Sequence, residues 1–105
     1  MARPAQAADL GAQAAFWDRL ADRYAAMTLA DPAAYAATLD RVAAHLRSGD
    51  HVREIGCGTG ATALRLAPLV ARYEETDLSP RMVALATARP EAAALPGLSF
   101  RVAPA

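Results

Sequence analysis

The segment His51-Val-Arg-Glu-Ile-Gly-Cys-Gly-Thr-Gly60 decides the fold of this 105-residue chain. Its pattern indicates a short strand that runs into a glycine-rich turn and then into a helix. Gly56, Gly58 and Gly60 supply the backbone freedom that a sharp turn needs, and the missing Cβ atoms leave room for a ligand close to the main chain. This order of strand, turn and helix is typical of α/β domains that bind nucleotide-like ligands.

An acidic residue follows the glycine turn at the spacing that such domains use for a ribose. Asp77 lies at the predicted end of the second strand, about 20 positions after the glycines. A carboxylate there can accept hydrogen bonds from the two cis hydroxyls of a ribose. Two alternatives stay open: the glycines can serve the turn alone, and Asp77 can serve only as a cap beside Ser79.

Glu54 bears on the kind of nucleoside ligand. It lies two residues before the first glycine, where a carboxylate repels a diphosphate but favours a cationic or amino-bearing group. Gly56-x-Gly58-x-x-Ala61 also fits the relaxed fingerprint of nicotinamide dinucleotides, which carry a diphosphate. S-adenosylmethionine carries a sulfonium and an amino group and no phosphate, so Glu54 favours S-adenosylmethionine.

Three segments carry a family resemblance. Val52-Arg-Glu-Ile-Gly-Cys-Gly-Thr-Gly60 resembles motif I of the class I S-adenosylmethionine-dependent methyltransferases, and Thr76-Asp-Leu-Ser-Pro-Arg-Met82 is similar to the segment after their second strand. Phe16-Trp-Asp-Arg-Leu-Ala-Asp-Arg-Tyr24 resembles the helix before the core in small-molecule members of the ubiquinone/menaquinone-methylase type. The resemblance extends over residues 14–103.

The resemblance implies S-adenosylmethionine as the cofactor and a set of residues that hold it. The loop 56–60 would contact the methionine part through its backbone, Asp77 would hold the ribose, and Leu78 and Met82 would form an apolar wall for the adenine. The cofactor-binding residues that it implies are Glu54, Gly56, Cys57, Gly58, Gly60, Asp77, Leu78, Met82 and Tyr24.

The same resemblance assigns Glu54 to the orientation of the loop and of the cofactor's amino end, and Tyr24 to a cover over the site. Cys57 fits the tight loop as a small residue, since no histidine near it in sequence would activate it as a nucleophile. Methyl transfer would be an in-line displacement on the sulfonium, which needs mainly proximity and orientation. No catalytic base is predicted.

Several positions depart from the family pattern. Arg53, Glu74 and Glu75 stand where buried parallel strands expect apolar side chains, and an ion pair from Arg53 to Glu74 or Glu75 would offset part of the cost. The family commonly ends its third strand with Gly-Asp-Ala, whose carboxylate binds the adenine amino group. This chain has Val102-Ala-Pro-Ala105, and Pro104 cannot make that contact.

The amino-acid composition limits the classes of binding partner that we expect. The chain has 11 arginines, no lysine, 11 acidic residues and a formal net charge of zero, so neither nucleic acid nor an anionic membrane is expected as a partner. One cysteine excludes an internal disulfide, and no apolar run approaches the ~18 residues of a membrane span. His45 and His51 lack companion ligands, so no metal is expected. We expect a reducing, cytoplasmic location.

The apolar spacing predicts the order α-α-β-α-β-α-β. Phe16, Leu20, Tyr24 and Met27 share one face of the first helix, and a second helix starts at the Asp31 cap and runs to Gly49. Strands are predicted at 52–55, 70–76 and 98–102, a helix from Pro80 to Pro90, and a loop at 92–97.

The expected fold is therefore α/β, a Rossmann-like doubly wound parallel sheet of the class I methyltransferase type, truncated after strand three, with two N-terminal helices. We divide the chain into a flexible N-terminus (1–12), N-terminal helices (13–48) and a partial S-adenosylmethionine-binding domain (49–105). In the resembled family strand one is central, so its edge would need cover from a missing C-terminal half or from self-association.

The resemblance implies a methyltransferase, present as an N-terminal fragment, that acts on an unidentified small-molecule acceptor. A non-catalytic cofactor-binding or interaction module derived from such an enzyme is the main alternative. An NAD(P)-dependent oxidoreductase is less favoured because of Glu54.

Overall fold

The computed structural model describes residues 7–26, 31–56 and 59–104, without the side chains of residues 7–9 and 24–26. In chain order the elements are α1 (Ala7–Ala26), α2 (Pro32–Ala43), β1 (His51–Ile55), α3 (Ala61–Leu66), β2 (Arg72–Asp77), α4 (Pro80–Thr87) and β3 (Leu98–Val102). Short 3-10 turns lie at Ala67–Leu69 and Pro90–Ala94. The predicted α/β order is confirmed.

The three strands form one parallel sheet in the order β1-β2-β3. Alternate residues of each strand face the helices, and Val52, Tyr73 and Leu98 lie side by side on that face. They pack on a small core of Leu39, Ala63, Leu66 and Ala67. Because alanines fill much of this layer, the helices lie close to the sheet.

Local capping explains where α2 begins, and a turn explains where it ends. The Asp31 carboxylate accepts a hydrogen bond from Ala34 N at 3.0 Å, with Pro32 at the first helical position, as predicted. The helix ends at Ala43, short of the predicted Gly49. Asp50 accepts a hydrogen bond from Arg47 N at 2.8 Å, which stabilises a turn in place of further helix.

Three other bounds differ from the prediction. Strand β2 starts at Arg72 instead of residue 70, because Pro68 lies in a 3-10 turn that prolongs α3. Residues 92–94 of the predicted loop belong to the 3-10 turn Pro90–Ala94. Helix α1 begins at Ala7, within the segment 1–12 that was expected to be flexible. The division into three segments stays a prediction.

Helix α1 packs through a different face from the predicted one. Ala21 is fully buried, whereas Phe16 and Trp17 are 48% and 41% exposed and contact each other edge to face. Helices α1 and α4 are in contact, and the buried residue of α1 among those described is a small one. Of the predicted apolar face, Met27 and the side chain of Tyr24 lie outside the described part of the chain.

The face of the sheet away from the helices is charged. Glu74 in the central strand accepts hydrogen bonds from Arg53 Nε at 3.1 Å and from Arg101 Nη2 at 3.2 Å. The predicted pairing of Arg53 with a strand-two glutamate is thus confirmed for Glu74. The bond from Arg101 and the two nearby positive charges lower the pKa of Glu74. Both arginines are more than half exposed, so solvent screens these pairs.

Gly60 lies where α3, α4 and β3 meet. Its φ is +90°, in the left-handed region, and it stands at the start of α3. A Cβ at this position would lie 3.1 Å from the Ala86 Cβ and 3.3 Å from the Phe100 ring. Both the backbone conformation and the packing therefore require glycine.

Among the described residues, no helix combines the length and the apolar character that crossing a membrane requires.

We predict that Gly60→Ala lowers the free energy of unfolding by about 2 to 4 kcal/mol, since it adds left-handed strain to overpacking. Urea denaturation followed by circular dichroism measures this loss. Gly49→Ala is the matched control, because its Cβ would meet nothing within 4 Å. A Gly60→Ala variant as stable as Gly49→Ala would contradict the packing argument.

Candidate functional site

The carboxyl ends of the three strands lie together at one edge of the sheet. Gly56 N donates a hydrogen bond to Thr76 O at 2.8 Å, and Ala103 N donates one to Asp77 O at 2.9 Å. These bonds continue the ladders beyond the strands and bring the glycine turn close to Asp77. In open α/β sheets ligands bind at this end of the strands.

The two described glycines of the turn have different roles. Gly56 has a φ of +74°, is exposed, and has open space where a Cβ would stand. The buried Gly60 is closed off by Ala86 and Phe100. Gly56 therefore has its backbone open on the side of the missing Cβ, whereas Gly60 serves packing. Cys57 and Gly58, also predicted at the site, lie outside the described residues.

Asp77 ends β2 and shapes the turn that follows. One of its carboxylate oxygens, Oδ1, accepts a hydrogen bond from Ser79 N at 2.9 Å, and the residue is partly exposed. The cap of α4 is Ser79, whose hydroxyl accepts from Met82 N at 3.0 Å. Asp77 is thus part of the turn but is not the cap. Its predicted contact with a ribose stays a prediction.

The two residues predicted to form an adenine wall differ in exposure. Leu78 is partly exposed beside Asp77, whereas Met82 is 2% exposed and packed inside the protein. Burial inside the protein therefore explains the place of Met82 in the apolar spacing of α4. A ligand over this turn would meet Leu78 before Met82.

Glu54 is held in place by a buried tyrosine. Tyr73, 2% exposed, donates a hydrogen bond from its hydroxyl to Glu54 Oε1 at 2.7 Å. Burial first, and then the bond to Glu54 and the negative charges of Glu54 and Glu75, raise the pKa of Tyr73. Glu75 is fully buried and in register with Glu54. Two glutamates therefore lie side by side on adjacent strands near the carboxyl ends, one partly and one fully buried.

A tether that sequence reasoning missed fixes the end of the glycine turn. Arg89 follows α4, and its guanidinium donates hydrogen bonds to the carbonyl oxygen and the hydroxyl of Thr59. Thr59 is 6% exposed. No local pattern could have indicated this contact, because the two residues lie 30 positions apart and Arg89 belongs to no motif.

Helix α1 is bound to the start of α4 beside Asp77. Asp18 accepts hydrogen bonds from the Ser79 hydroxyl and, at 2.9 Å, from Arg81 N. Asp22 accepts one from the Arg81 guanidinium at 2.8 Å. The sequence places Asp18 inside a motif but gave no indication of these partners. The side chain of Tyr24, the predicted cover of the site, lies outside the described residues.

A groove of about 520 Å³ lies on the charged face of the sheet, lined in part by His51, Arg53, Arg72 and Ser99. These residues stand toward the amino ends of the strands, away from the glycine turn, so this groove is separate from the candidate site. Across the described ranges, no group of three His, Cys, Asp or Glu side chains is arranged to hold a metal ion.

Comparison with known proteins identifies the family. The family described as "Methyltransferase domain" matches residues 52–105, which is just over half of the chain. The matched part contains the glycine turn, Glu54 and Asp77. The protein therefore belongs to this family of methyltransferase domains, and its fold is the first part of the class I methyltransferase fold.

Solved structures agree with this assignment. DhpI in complex with S-adenosylhomocysteine (SAH) is 27% identical, with a TM-score of 0.71 over 90% of this chain and 44% of its own. A dimethyladenosine transferase from Plasmodium falciparum is 31% identical, with a TM-score of 0.59 over 75% of this chain and 28% of its own. The [4+2]-cyclase SpnF, at 22% identity and a TM-score of 0.71, covers 88% of this chain and 42% of its own, and shows the fold alone.

The chain thus spans less than half the length of these structures. No match was found among the curated proteins.

We predict that Tyr73→Phe lowers the free energy of unfolding at pH 7 by about 1 to 2 kcal/mol, because Glu54 loses a hydrogen bond in a partly buried place. The native pKa of Tyr73 is raised above 10.0, so its stabilisation is present below pH 10 and is lost as the pH rises further. Chemical denaturation between pH 7 and 11 should show a decline above pH 10 that Tyr73→Phe reduces.

Tyr35→Phe is the matched control, since the Tyr35 hydroxyl is hydrogen-bonded to the neutral hydroxyl of Thr62. An alkaline decline that is the same in Tyr73→Phe as in the unmodified protein would rule out Tyr73 as its source.

Proposed function

We propose that the protein binds S-adenosylmethionine at the carboxyl ends of its strands and takes part in methyl transfer to a small-molecule acceptor. One observation carries this proposal. Gly56, with open space where a Cβ would stand, follows β1, and the partly exposed Asp77 ends the adjacent parallel strand β2.

The residues present fit this cofactor. Gly56 can approach the methionine part through its main chain, and Asp77 offers a carboxylate to the two ribose hydroxyls. Glu54, fixed by Tyr73, adds negative charge on the side where a cation or an amino group is favoured and a diphosphate is not. The bound cofactor would supply a methyl group already activated by its sulfonium.

Leu78 is the described apolar surface next to Asp77, so it is our candidate for contact with the adenine. Beyond β3 the backbone of Ala103 is bonded to Asp77, and Pro104 follows with no side-chain donor or acceptor. The adenine amino group therefore has no partner from this segment's side chains. In this proposal the ribose and the methionine part supply most of the specificity.

The acceptor and the rest of the active centre belong to the proposal as well. We propose a small molecule, since a chain with zero net charge offers no electrostatic case for a nucleic-acid acceptor. The edge of β1 carries no further strand among the described residues, and Ile55 on β1 is 58% exposed. A further segment or a second copy of the chain would cover this edge. We also propose a cytoplasmic location.

A second candidate is a protein that binds the cofactor without turnover. Its support is that the candidate site supplies groups that would hold the cofactor, whereas the sequence predicts no catalytic base. Substrate-dependent methyl transfer would separate the two. Binding of SAH is common to both and has to be measured first.

The direct test is calorimetric titration of the full chain with SAH, beside circular dichroism to establish that it is folded. Saturable micromolar binding supports the cofactor assignment. Competition by NADH, or no binding by a folded chain, contradicts it.

We predict that Asp77→Ala weakens SAH binding by about 1 to 3 kcal/mol, through the loss of charge-assisted hydrogen bonds to the ribose. Isothermal titration gives the affinity, and circular dichroism shows whether the fold is kept. Asp40→Asn is the control, because Asp40 is an exposed carboxylate on α2 that pairs only loosely with Arg65, at 3.8 Å. Equal affinities for the two variants would remove Asp77 from the site.

A further inference from the structure

Asp18 makes two contacts with the beginning of α4, and both use the same oxygen. Its Oδ1 accepts a hydrogen bond from the Ser79 hydroxyl and one from Arg81 N at 2.9 Å. The bond from Ser79 first, and then the one from Arg81, lower the pKa of Asp18, so both favour the ionised carboxylate. A residue of α1 thus extends the capping of a helix that lies 61 positions later in the chain.

Ser79 carries this contact on to Asp77. Ser79 is fully buried, its backbone N donates to Asp77 Oδ1 at 2.9 Å, and its hydroxyl accepts from Met82 N at 3.0 Å. The hydroxyl hydrogen is directed to Asp18, so the serine is fixed on three sides. A shift of Ser79 would move the amide that orients the Asp77 carboxylate.

We propose that Asp18 is a positioning residue for Asp77, and that docking of α1 on the start of α4 strengthens cofactor binding through Ser79. This inference rests on the proposed function, because it concerns the carboxylate assigned to the ribose. It adds a coupling between two events. A ligand that orders the Asp77 turn also favours the docking of α1 on α4, and by linkage the docking of α1 favours binding of the ligand to the same extent.

Asp22 provides an internal comparison. It lies one turn further along α1 and bonds the Arg81 guanidinium at 2.8 Å, but it has no contact with Ser79 among the described residues. Both aspartates join α1 to α4, and only Asp18 reaches the Asp77 turn. Substitution of either aspartate would loosen the contact of α1 with α4. Only substitution of Asp18 would also change the position of the Asp77 carboxylate.

The experiment measures SAH affinity by isothermal titration for the full chain and for four variants, which are Asp18→Asn, Asp22→Asn, Asp77→Ala and Asp18→Asn combined with Asp77→Ala. Asp18→Asn should weaken binding about threefold to tenfold, and Asp22→Asn should stay within about twofold. In the Asp77→Ala background, Asp18→Asn should have no further effect, since its influence passes through Asp77.

A second readout does not depend on affinity. SAH should slow backbone hydrogen exchange in α1 of the unmodified chain and of Asp22→Asn, but not in Asp18→Asn. Ser79→Ala removes the hydroxyl and keeps the backbone bond to Asp77. It should weaken binding in the same direction and replaces Asp18→Asn if that variant does not fold.

Each outcome decides one question. Normal affinity in Asp18→Asn with weak binding in Asp77→Ala overturns the coupling and leaves the cofactor assignment in place. A loss from Asp18→Asn that persists in the Asp77→Ala background also overturns it, because Asp18 would then act by another route. Absence of SAH binding by the folded, unmodified chain overturns the proposed function, and the coupling with it.

Discussion

The contact that the rest of the structure depends on is the one at Gly60, where the start of α3 meets Ala86 of α4 and Phe100 of β3. A left-handed residue without a side chain is required there, and a Cβ would lie 3.1 Å from Ala86 and 3.3 Å from Phe100. Because these three elements meet at one point, the helices that follow β1 and β2 are held against the third strand. The candidate site is the surface that this convergence leaves open, on the side of Gly56.

Around that point the site is held by long-range polar contacts. Arg89 holds Thr59 at one side of the turn, and Tyr73 holds Glu54 below it. Asp18 holds Ser79, and through it Asp77, at the other side. Each contact joins residues that lie far apart in the sequence, at separations of 30, 19 and 61 positions. The position of a ligand would therefore be set by the packing of the whole domain more than by the glycine turn alone.

Much of the fold could be predicted from the sequence because its signals are local. The caps at Asp31 and Ser79 depend on neighbouring residues, and β3 ends where its alternation of apolar and polar residues ends. The sequence could not show the packing partners of Gly60, since glycine in such a turn is explained equally well by a ligand. Nor could it show the contacts of Asp18, because tertiary packing buries Ala21 of α1 and leaves Phe16, which the apolar spacing favoured, exposed.

The three strands also have a second face, and its chemistry limits what can lie on it. Glu74 shares its carboxylate between Arg53 and Arg101, one from each neighbouring strand. A shift of either outer strand by one residue would turn its arginine toward the alanine-lined core. The shared carboxylate therefore favours the observed strand register. These ion pairs stabilise the register only while they stay hydrated, because the free energy of removing water from the charged groups would exceed that of their attraction. Any layer of protein laid over this face would have to carry water or its own polar groups into the interface.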